Sequence, residues 1–516
     1  MHKLIKRGDE MNRAKKYFIN ALILSGCTLL MRTVAVAFNA FCVNKVGSEG
    51  MGLFSLVMSV YTFAVTLATS GVNLAATRLV ALYFGKNEGA SVKSAMKKCL
   101  LYSFIFGTLA SILLFVFASL AAKQFLNEPR AAMSIRALSL SLLPLSLCSA
   151  FSGYFSAVRR VYKNAISQVL EQTVKILSCT FLLSLLVPRG IEYACLALVL
   201  GGAISEIFSF LLQAISYFSD IRSLHEGGCR IKMSDVTKIS LPVAFSAYVR
   251  SGLVTIEHIL IPIGLAAYGD ANALATYGVV SAVALPIVLY PSAFVGAFSG
   301  QIIPEITEFY DAGNKKEVAY ITSRAFFVTL FFSTLCAGLL CSFSGDFCEV
   351  IYKSKEGAEY LHALAPLMPV MFLDTVTDSI LKGLGKQFYT MCVNIADAAT
   401  SVLLVWLLVP RMGIYGYIVV VYVSECINTV FSIWKLMSLI DFKINLKKIL
   451  LSPLACAIGS ANICHILLSF APMPLSAASL IAKCALYIAC YFVLAYMLGS
   501  IGKEEKTWLQ GVVYER

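Results

Sequence analysis

The sequence predicts an all-α integral membrane protein whose 14 transmembrane helices form two six-helix lobes followed by two additional C-terminal helices. The first supporting observation is composition. Apolar residues occupy 59% of the 516 positions, charged residues only 14%, and the mean hydropathy is +0.79. A soluble protein usually carries about 25% charged residues. The second observation is a series of long apolar stretches, and the third is an internal repeat.

Each apolar stretch is long enough to cross a bilayer, which takes roughly 20 mostly apolar residues in a helix. Strands of a membrane barrel would be shorter and would alternate in polarity, so the stretches favour helices. Residues 344–359, between the ninth and tenth spans, are expected to form a solvated outer loop. The predicted spans cover residues 18–43, 51–70, 98–122, 132–158, 164–187, 191–218, 237–267, 274–299, 319–343, 360–384, 388–409, 413–437, 449–469 and 475–500.

An internal repeat organises these spans. The pentapeptide Leu-Leu-Val-Pro-Arg occurs at Leu185–Arg189 and again at Leu407–Arg411, 222 residues later. Several matches in the same order indicate two copies of one unit. Parallel repeats are a recurring plan of secondary transporters, with the substrate site between the copies. Further landmarks recur at a similar offset: Gly47 with Gly269, Pro144 with Pro369, and the polar loop 85–88 with 313–317.

The repeat divides the chain into four predicted parts. These are an N-lobe (1–218), a cytoplasmic loop (219–235), a C-lobe (236–440), and a last part (441–516) with the two additional helices and a cytoplasmic tail. Because each lobe has an even number of spans, both lobes have the same orientation. The predicted pseudo-twofold axis therefore runs along the membrane normal.

The net charge of +13 follows the predicted topology. With the N-terminus inside, the inner loops and termini carry 30 Lys and Arg residues and the outer loops carry eight. Since basic loops stay on the cytoplasmic side, both termini are predicted to be cytoplasmic. This distribution argues against nucleic acid as a partner. The 16 cysteines form no Cys-x-x-Cys motif, so the sequence supports neither a metal site nor a disulfide framework.

Two arginines within spans are the first candidate site residues, because a charge inside the membrane is costly and usually functional. Arg32 lies midway along the first span, and Arg250 lies midway along the seventh, its equivalent in the repeat. If both face a cavity between the lobes, they form a clamp for phosphate, which the arginine fork binds with two parallel hydrogen bonds. The alternative is that each arginine pairs with a carboxylate, for example Arg250 with Glu257.

Acidic and amide side chains in the second half suggest an ion site. Glu257 precedes Pro262 in the seventh span, and Asn394 and Asp397 lie one turn apart in the eleventh. Their oxygens could bind a coupling Na⁺ or take up a proton. The alternative is a hydrogen-bond network that packs the helices. The first half has no matching acidic set.

Other charged residues within spans have weaker interpretations. Asp374 and Asp378 are an i,i+4 pair of like charge in the tenth span, which repels at that spacing. They are candidates for substrate binding on a cavity wall. Glu171 and Lys175 are expected to form an i,i+4 ion pair, whereas Glu206 and Lys483 receive no role.

Enzymatic chemistry finds no support in the sequence. The five histidines form no cluster with acidic residues. There is no phosphate-binding loop of the Gly-x-x-x-x-Gly-Lys-Ser/Thr type and no Gly-x-Ser-x-Gly nucleophile motif. The prediction is a protein without catalytic residues, cofactor or metal centre, driven by an ion gradient, the membrane potential or the substrate gradient.

Three segments near the N-terminus carry a family resemblance. Arg32 is followed by Val46–Phe54 (VGSEGMGLF) and by Gly71–Val80 (GVNLAATRLV). Together they resemble the opening of the stage V sporulation protein B family. That family belongs to the polysaccharide-transporter branch of the multidrug/oligosaccharidyl-lipid/polysaccharide (MOP) exporter superfamily. In length and span number the resemblance covers essentially the whole chain.

The resemblance implies a MATE-like fold and a flippase in the plasma membrane of a bacterium. Its substrate would be an undecaprenyl-pyrophosphate-linked oligosaccharide or a peptidoglycan precursor such as lipid II, moved by alternating access. The implied partners are this lipid-linked glycan and the surrounding membrane lipids. The inter-lobe cavity needs one chain, so we expect a monomer.

Two departures from the related lipid II flippases leave the glycan open. Those flippases use cavity arginines on helices 1, 2 and 8, and Arg32 matches the first of them. Phe38 stands where a second arginine occurs, and Arg78 lies near the end of the second span. Two other functions are considered: a cation-coupled multidrug exporter, which would favour an acidic cavity, and a non-transporting scaffold for sporulation or cell-wall synthesis.

Overall fold

The computed structural model describes residues 2–69, 71–222, 231–441, 447–470 and 474–500, with side chains from residue 30 onward apart from those at 301 and 448. Every regular element in these ranges is helical, as predicted. The α-helices are α1 His2–Thr69, α2 Val72–Gly85, α3 Gly89–Leu120, α4 Ala132–Ala157, α5 Val161–Leu186, α6 Ile191–Arg222, α7 Met233–Tyr268, α8 Ala273–Val279, α9 Leu285–Leu289, α10 Ser292–Asp311, α11 Lys315–Tyr352, α12 Ala358–Leu364, α13 Met368–Gly383, α14 Gln387–Met412, α15 Ile414–Leu439, α16 Ser452–Phe470 and α17 Ala477–Met497.

The described residues contain 12 helical segments long and apolar enough to cross a membrane, or 13 if the bent pair Ala273–Leu289 and Ser292–Asp311 counts as one span. The number 14 is therefore not confirmed. The first segment, Leu30–Gly85, has 56 residues, more than twice what one crossing needs. Within it Gly47 has non-helical backbone angles (φ 82°, ψ 168°), at the predicted boundary between the first two spans.

Two predicted boundaries differ from the structure. Helix α11 continues to Tyr352 beyond a non-helical residue at Phe343, so the expected outer loop at 344–359 is partly helical. The predicted eighth span, 274–299, is interrupted at Tyr290 and Pro291 and continues as α10 to Asp311. Proline cannot donate a backbone hydrogen bond, which accounts for a break at this point.

The chain divides into two compact units that interleave in sequence. The first unit comprises Met1–Ala40, Val283–Val393 and Val421–Arg516, and the second comprises Phe41–Ala282 and Asn394–Val420. These units follow spatial proximity and do not coincide with the predicted lobes. The lobe boundaries and the two-lobe repeat therefore stay predictions.

One tertiary contact occurs twice at a constant offset. In the second unit the Thr77 hydroxyl donates to the carbonyl of Gly153 at 3.2 Å. In the first unit the Thr307 hydroxyl donates to the carbonyl of Gly383 at 2.9 Å. Both pairs are 76 residues apart. The correspondence links α2 and α4 with α10 and α13, the helices that the proposed repeat would pair.

Close helix packing in the second unit depends on two glycines. A Cβ atom added to Gly278 would lie 2.0 Å from the carbonyl oxygen of Ser48, and one added to Gly52 would lie 2.1 Å from that of Leu274. Small residues allow membrane helices to approach this closely. The contact holds α8 against α1 near the Gly47 bend.

Gly278→Ala is expected to destabilise the protein by about 1–3 kcal/mol, because the clash is with backbone that must move. Thermal unfolding of the purified protein in detergent measures this effect. Gly296→Ala is the control, since no atom of the described residues lies within 4 Å of a Cβ added there. Equal unfolding temperatures for the two variants would contradict the packing argument.

Candidate functional site

Arg32 lies in the first unit, and its guanidinium is exposed. Its Nη1 donates to the carbonyl of Leu289 at 2.9 Å and to the hydroxyl of Ser292 at 2.8 Å. Both acceptors flank the break between α9 and α10. No ion pair with a carboxylate holds Arg32 within the described ranges. The remaining guanidinium donors thus stay accessible to an anion.

An apolar cavity of about 480 Å³ adjoins Arg32 within the first unit. Thr33 and Val36 of α1 line it, together with Tyr290, Phe332 of α11 and Ile488 of α17. The Thr33 and Tyr290 hydroxyls are hydrogen-bonded at 2.8 Å. Apart from a few such groups the wall is apolar, so the cavity suits hydrocarbon. Arg32 itself does not line the cavity, but its neighbour Thr33 does, and its acceptors Leu289 and Ser292 flank the lining residues Tyr290 and Pro291.

Arg250 lies in the second unit and is exposed on α7. The structure gives it no ion pair among the described residues, and Glu257 bonds to Ser401 instead. The structural alternative considered for Arg250, a pair with Glu257, is therefore absent. A clamp formed jointly by Arg32 and Arg250 stays a prediction.

The predicted ion site brings together residues of α7 and α14 in the second unit. The Glu257 carboxylate is hydrogen-bonded with the Ser401 side chain, and the charge of Asp397 acts on it. The buried Tyr417 of α15 also lies within electrostatic range of Glu257. Asn394 is one turn before Asp397 on α14. The arrangement offers two carboxylates with hydroxyl and amide oxygens, which suits a proton or a monovalent cation better than a metal cluster.

Asp374 and Asp378 in the first unit have protein partners. Asn428 of α15 donates to Asp374 at 3.1 Å, and Lys382 pairs with Asp378 at 3.8 Å. Asp378 is buried. Asp374 thus has a neutral hydrogen-bond donor and Asp378 a positive charge beside it. Substrate binding by this pair stays a prediction that the contacts do not strengthen.

The first half contains a polar cluster with two carboxylates that the sequence did not predict. In the second unit the Tyr61 hydroxyl donates to Glu206 at 2.5 Å and lies 2.6 Å from the Ser141 hydroxyl. Glu171 acts electrostatically on Glu206. Glu206, which received no role from the sequence, is therefore part of a polar cluster that joins α1, α4, α5 and α6.

The expected ion pair between Glu171 and Lys175 is also absent. Ser209 of α6 and, at longer range, Lys175 act electrostatically on the Glu171 carboxylate. Helical spacing could have revealed part of the cluster, because Glu206 and Ser209 are three residues apart and share a face of α6. The spacing could not reveal that Tyr61 lies opposite.

Comparison with known proteins identifies the family. The sequence profile described as polysaccharide biosynthesis protein matches residues 18–309, more than half of the chain. The chain belongs to this polysaccharide biosynthesis protein family. A second profile, MatE, matches residues 250–407. Both matches confirm the predicted resemblance.

Similar proteins of this family are known from bacteria. This chain is 23% identical over 509 residues to stage V sporulation protein B of Bacillus subtilis (strain 168), covering 95% of this chain and 97% of the relative. It is 24% identical over 410 residues to the lipid II flippase MurJ of the same organism, covering 73% and 74%. The sporulation and flippase relationships implied by the resemblance are thus confirmed.

Solved structures share the fold. The lipid II flippase MurJ in an inward closed conformation superimposes with a TM-score of 0.70 at 14% identity, over 93% of this chain and 99% of that chain. An inward-facing multidrug resistance MATE family transporter of the MOP superfamily gives 0.65 at 14% identity, over 79% and 95%. The chain is therefore a multi-pass membrane protein with a MATE-like helical fold, related to flippases and transporters.

Proposed function

We propose that this protein is a flippase for an undecaprenyl-pyrophosphate-linked oligosaccharide or a peptidoglycan precursor. It would work by alternating access in the plasma membrane of a bacterium, as a monomer with both termini in the cytoplasm. The observation that carries the proposal is the position of Arg32 beside the apolar cavity of about 480 Å³. This pair of features matches an amphipathic substrate with an anionic head and a hydrocarbon tail.

The chemistry of each part supports this assignment. A guanidinium remains charged at physiological pH and binds phosphate oxygens through two parallel hydrogen bonds. The cavity has the volume typical of a small-molecule site, roughly 300–1,000 Å³, and its wall of Val36, Phe332 and Ile488 favours an isoprenoid chain. An organic cation would be repelled by Arg32, which counts against multidrug export.

The relatives support a lipid-linked substrate without naming the glycan. One relative is a lipid II flippase and another is a sporulation protein. Phe38 and Arg78 depart from the arginine pattern expected of lipid II flippases. Another lipid-linked glycan is therefore as compatible with Arg32 and the cavity as lipid II is.

A transport assay in reconstituted vesicles tests the function. Fluorescent undecaprenyl pyrophosphate carrying a disaccharide should cross the bilayer faster with the protein than in protein-free vesicles. The same disaccharide on a neutral polyprenol should cross the bilayer only slightly faster with the protein than without it. Export of organic cations without flipping of the pyrophosphate lipid would favour a multidrug exporter. Full activity of transport-dead variants in cells would favour a scaffold.

We also propose that Glu257, Asn394 and Asp397 hold the coupling ion, Na⁺ or H⁺. Two carboxylates close to each other favour binding of a cation or a shared proton, because their mutual repulsion is then relieved. The Ser401 hydroxyl and the amide of Asn394 supply neutral oxygens to the same helix face. Arg32, which would bind the substrate, and the carboxylates of Glu257 and Asp397, which would bind the ion, would then lie on different helices.

Asp397→Asn should abolish the response of transport to an imposed Na⁺ or pH gradient. The variant removes one carboxylate from the pair, and each lost charged contact costs about 1.5–3 kcal/mol, or at least tenfold in ion affinity. Flipping rates in vesicles with Na⁺ or proton gradients of either direction measure the effect. Asp311→Asn, at the exposed end of α10, is the control. An unchanged gradient response in Asp397→Asn would contradict the assignment.

A further inference from the structure

A side chain from α1 forms hydrogen bonds at the break between α9 and α10. The helix bends by 50° there. In an uninterrupted helix the Leu289 carbonyl would accept from the amide of Ala293, but that amide bonds to Tyr290 at 3.3 Å instead. The Leu289 carbonyl therefore lacks a helical partner, as carbonyls at a helix C-terminus do.

Two side chains satisfy this carbonyl. Ser292 donates its hydroxyl to Leu289 at 2.7 Å, and Arg32 donates Nη1 to the same oxygen at 2.9 Å. The Ser292 oxygen in turn accepts from Nη1 at 2.8 Å. The three groups form a closed triangle of hydrogen bonds within the first unit. A cation at a helix C-terminus is also favoured by the helix dipole.

The triangle fixes the orientation of the guanidinium. Nη1 donates toward the break, where the Leu289 carbonyl and the Ser292 hydroxyl are its two acceptors. The remaining edge of the guanidinium, formed by Nε and Nη2, has no hydrogen-bond partner in the described part of the chain. That edge carries the two parallel donors needed for bidentate phosphate binding.

We propose that Ser292 is a positioning residue for the anion site: with the Leu289 carbonyl it holds Nη1 of Arg32, so that the Nε–Nη2 edge faces a phosphate group. The proposal rests on the proposed function, because it assumes that Arg32 binds the phosphate of the substrate. The helix break is then part of the binding site, since it supplies both groups that orient the arginine. Without Ser292 the guanidinium would keep its charge but lose a fixed direction.

Binding of undecaprenyl pyrophosphate to the detergent-solubilised protein tests this role. Ser292→Ala should weaken binding about tenfold, the effect of losing one charge-assisted hydrogen bond that orients the arginine. Ser292→Thr should restore it because the hydroxyl is kept. Uncharged undecaprenol, which uses only the apolar cavity, should bind Ser292→Ala and wild type equally. In vesicles the apparent KM should rise with little change in kcat.

Ser299→Ala is the matched control, because among the described residues the Ser299 hydroxyl on the same helix bonds only to its own turn, at Val295. Wild-type affinity of Ser292→Ala for undecaprenyl pyrophosphate, with weak binding by Arg32→Ala, would overturn the positioning role alone. Wild-type affinity of Arg32→Ala would overturn the proposed function as well. Equal loss of undecaprenol and undecaprenyl pyrophosphate binding in Ser292→Ala would show general damage and also overturn the role.

Discussion

Arg32→Ala is expected to slow flipping of undecaprenyl-pyrophosphate-linked glycan by at least about 100-fold in reconstituted vesicles. The variant removes two charge-assisted hydrogen bonds to phosphate, each contributing about 1.5–3 kcal/mol. It also removes the cation that satisfies the Leu289 carbonyl at the helix break. Part of the lost flipping rate should therefore come from a changed bend between α9 and α10. The rest should come from weaker binding of the phosphate.

Arg32→Lys separates these two effects. Lysine keeps the positive charge but lacks the planar fork, so it can contact either the carbonyl or a phosphate oxygen but cannot reproduce both geometries. We expect an intermediate rate. Arg250→Ala tests the clamp: a loss similar to that of Arg32→Ala supports two arginines at one phosphate site. Normal flipping by Arg32→Ala would refute the site itself.

The fold class could be predicted because the membrane imposes it. A span needs about 20 apolar residues, and its backbone must be satisfied internally, so composition and stretch length determine that helices form. Helix breaks were partly predictable. Gly47 and Gly269 mark boundaries in the sequence, and both have positive φ (82° and 103°), which glycine adopts without steric cost.

The contents of the site were less predictable, because helical spacing reports only residues on the same helix. Glu171 and Lys175 have the spacing of an ion pair, yet no ion pair forms between them, and Ser209 on the next helix also acts on Glu171. Similarly, Glu206 is isolated in sequence, and its hydrogen-bond partner Tyr61 is 145 residues away. Such contacts depend on which helix faces which, and one sequence does not give that information.

The break at Pro291 shows the same limit. The proline is visible in the sequence, but a proline alone does not tell how the freed carbonyls are satisfied. Neighbouring helices, Ser and Thr side chains or water can all fulfil that role in membranes. Here an arginine 257 residues earlier in the chain caps the Leu289 carbonyl, so a residue chosen as a substrate ligand also has a structural contact.

Lys483→Met should lower the free energy of unfolding by about 3–5 kcal/mol, the largest stability effect we expect. Lys483 of α17 pairs with Asp346 of α11 at 2.6 Å, and their side chains are only 12% and 25% exposed. Removing one partner leaves a poorly hydrated charge without compensation, which costs far more than the pair contributes. Chemical unfolding in detergent measures the change.

Two further variants show whether the charge or the packing is responsible. The double variant Lys483→Met, Asp346→Leu should recover most of the stability, because an apolar pair of similar size avoids desolvation altogether. Lys355→Met removes an exposed pair with Glu349, at 3.4 Å and with Lys355 79% exposed, and should cost at most about 1 kcal/mol. If Lys483→Met were no more costly than Lys355→Met, contacts such as Tyr491 with Thr334 at 2.9 Å would hold α17 to α11 without help from the ion pair.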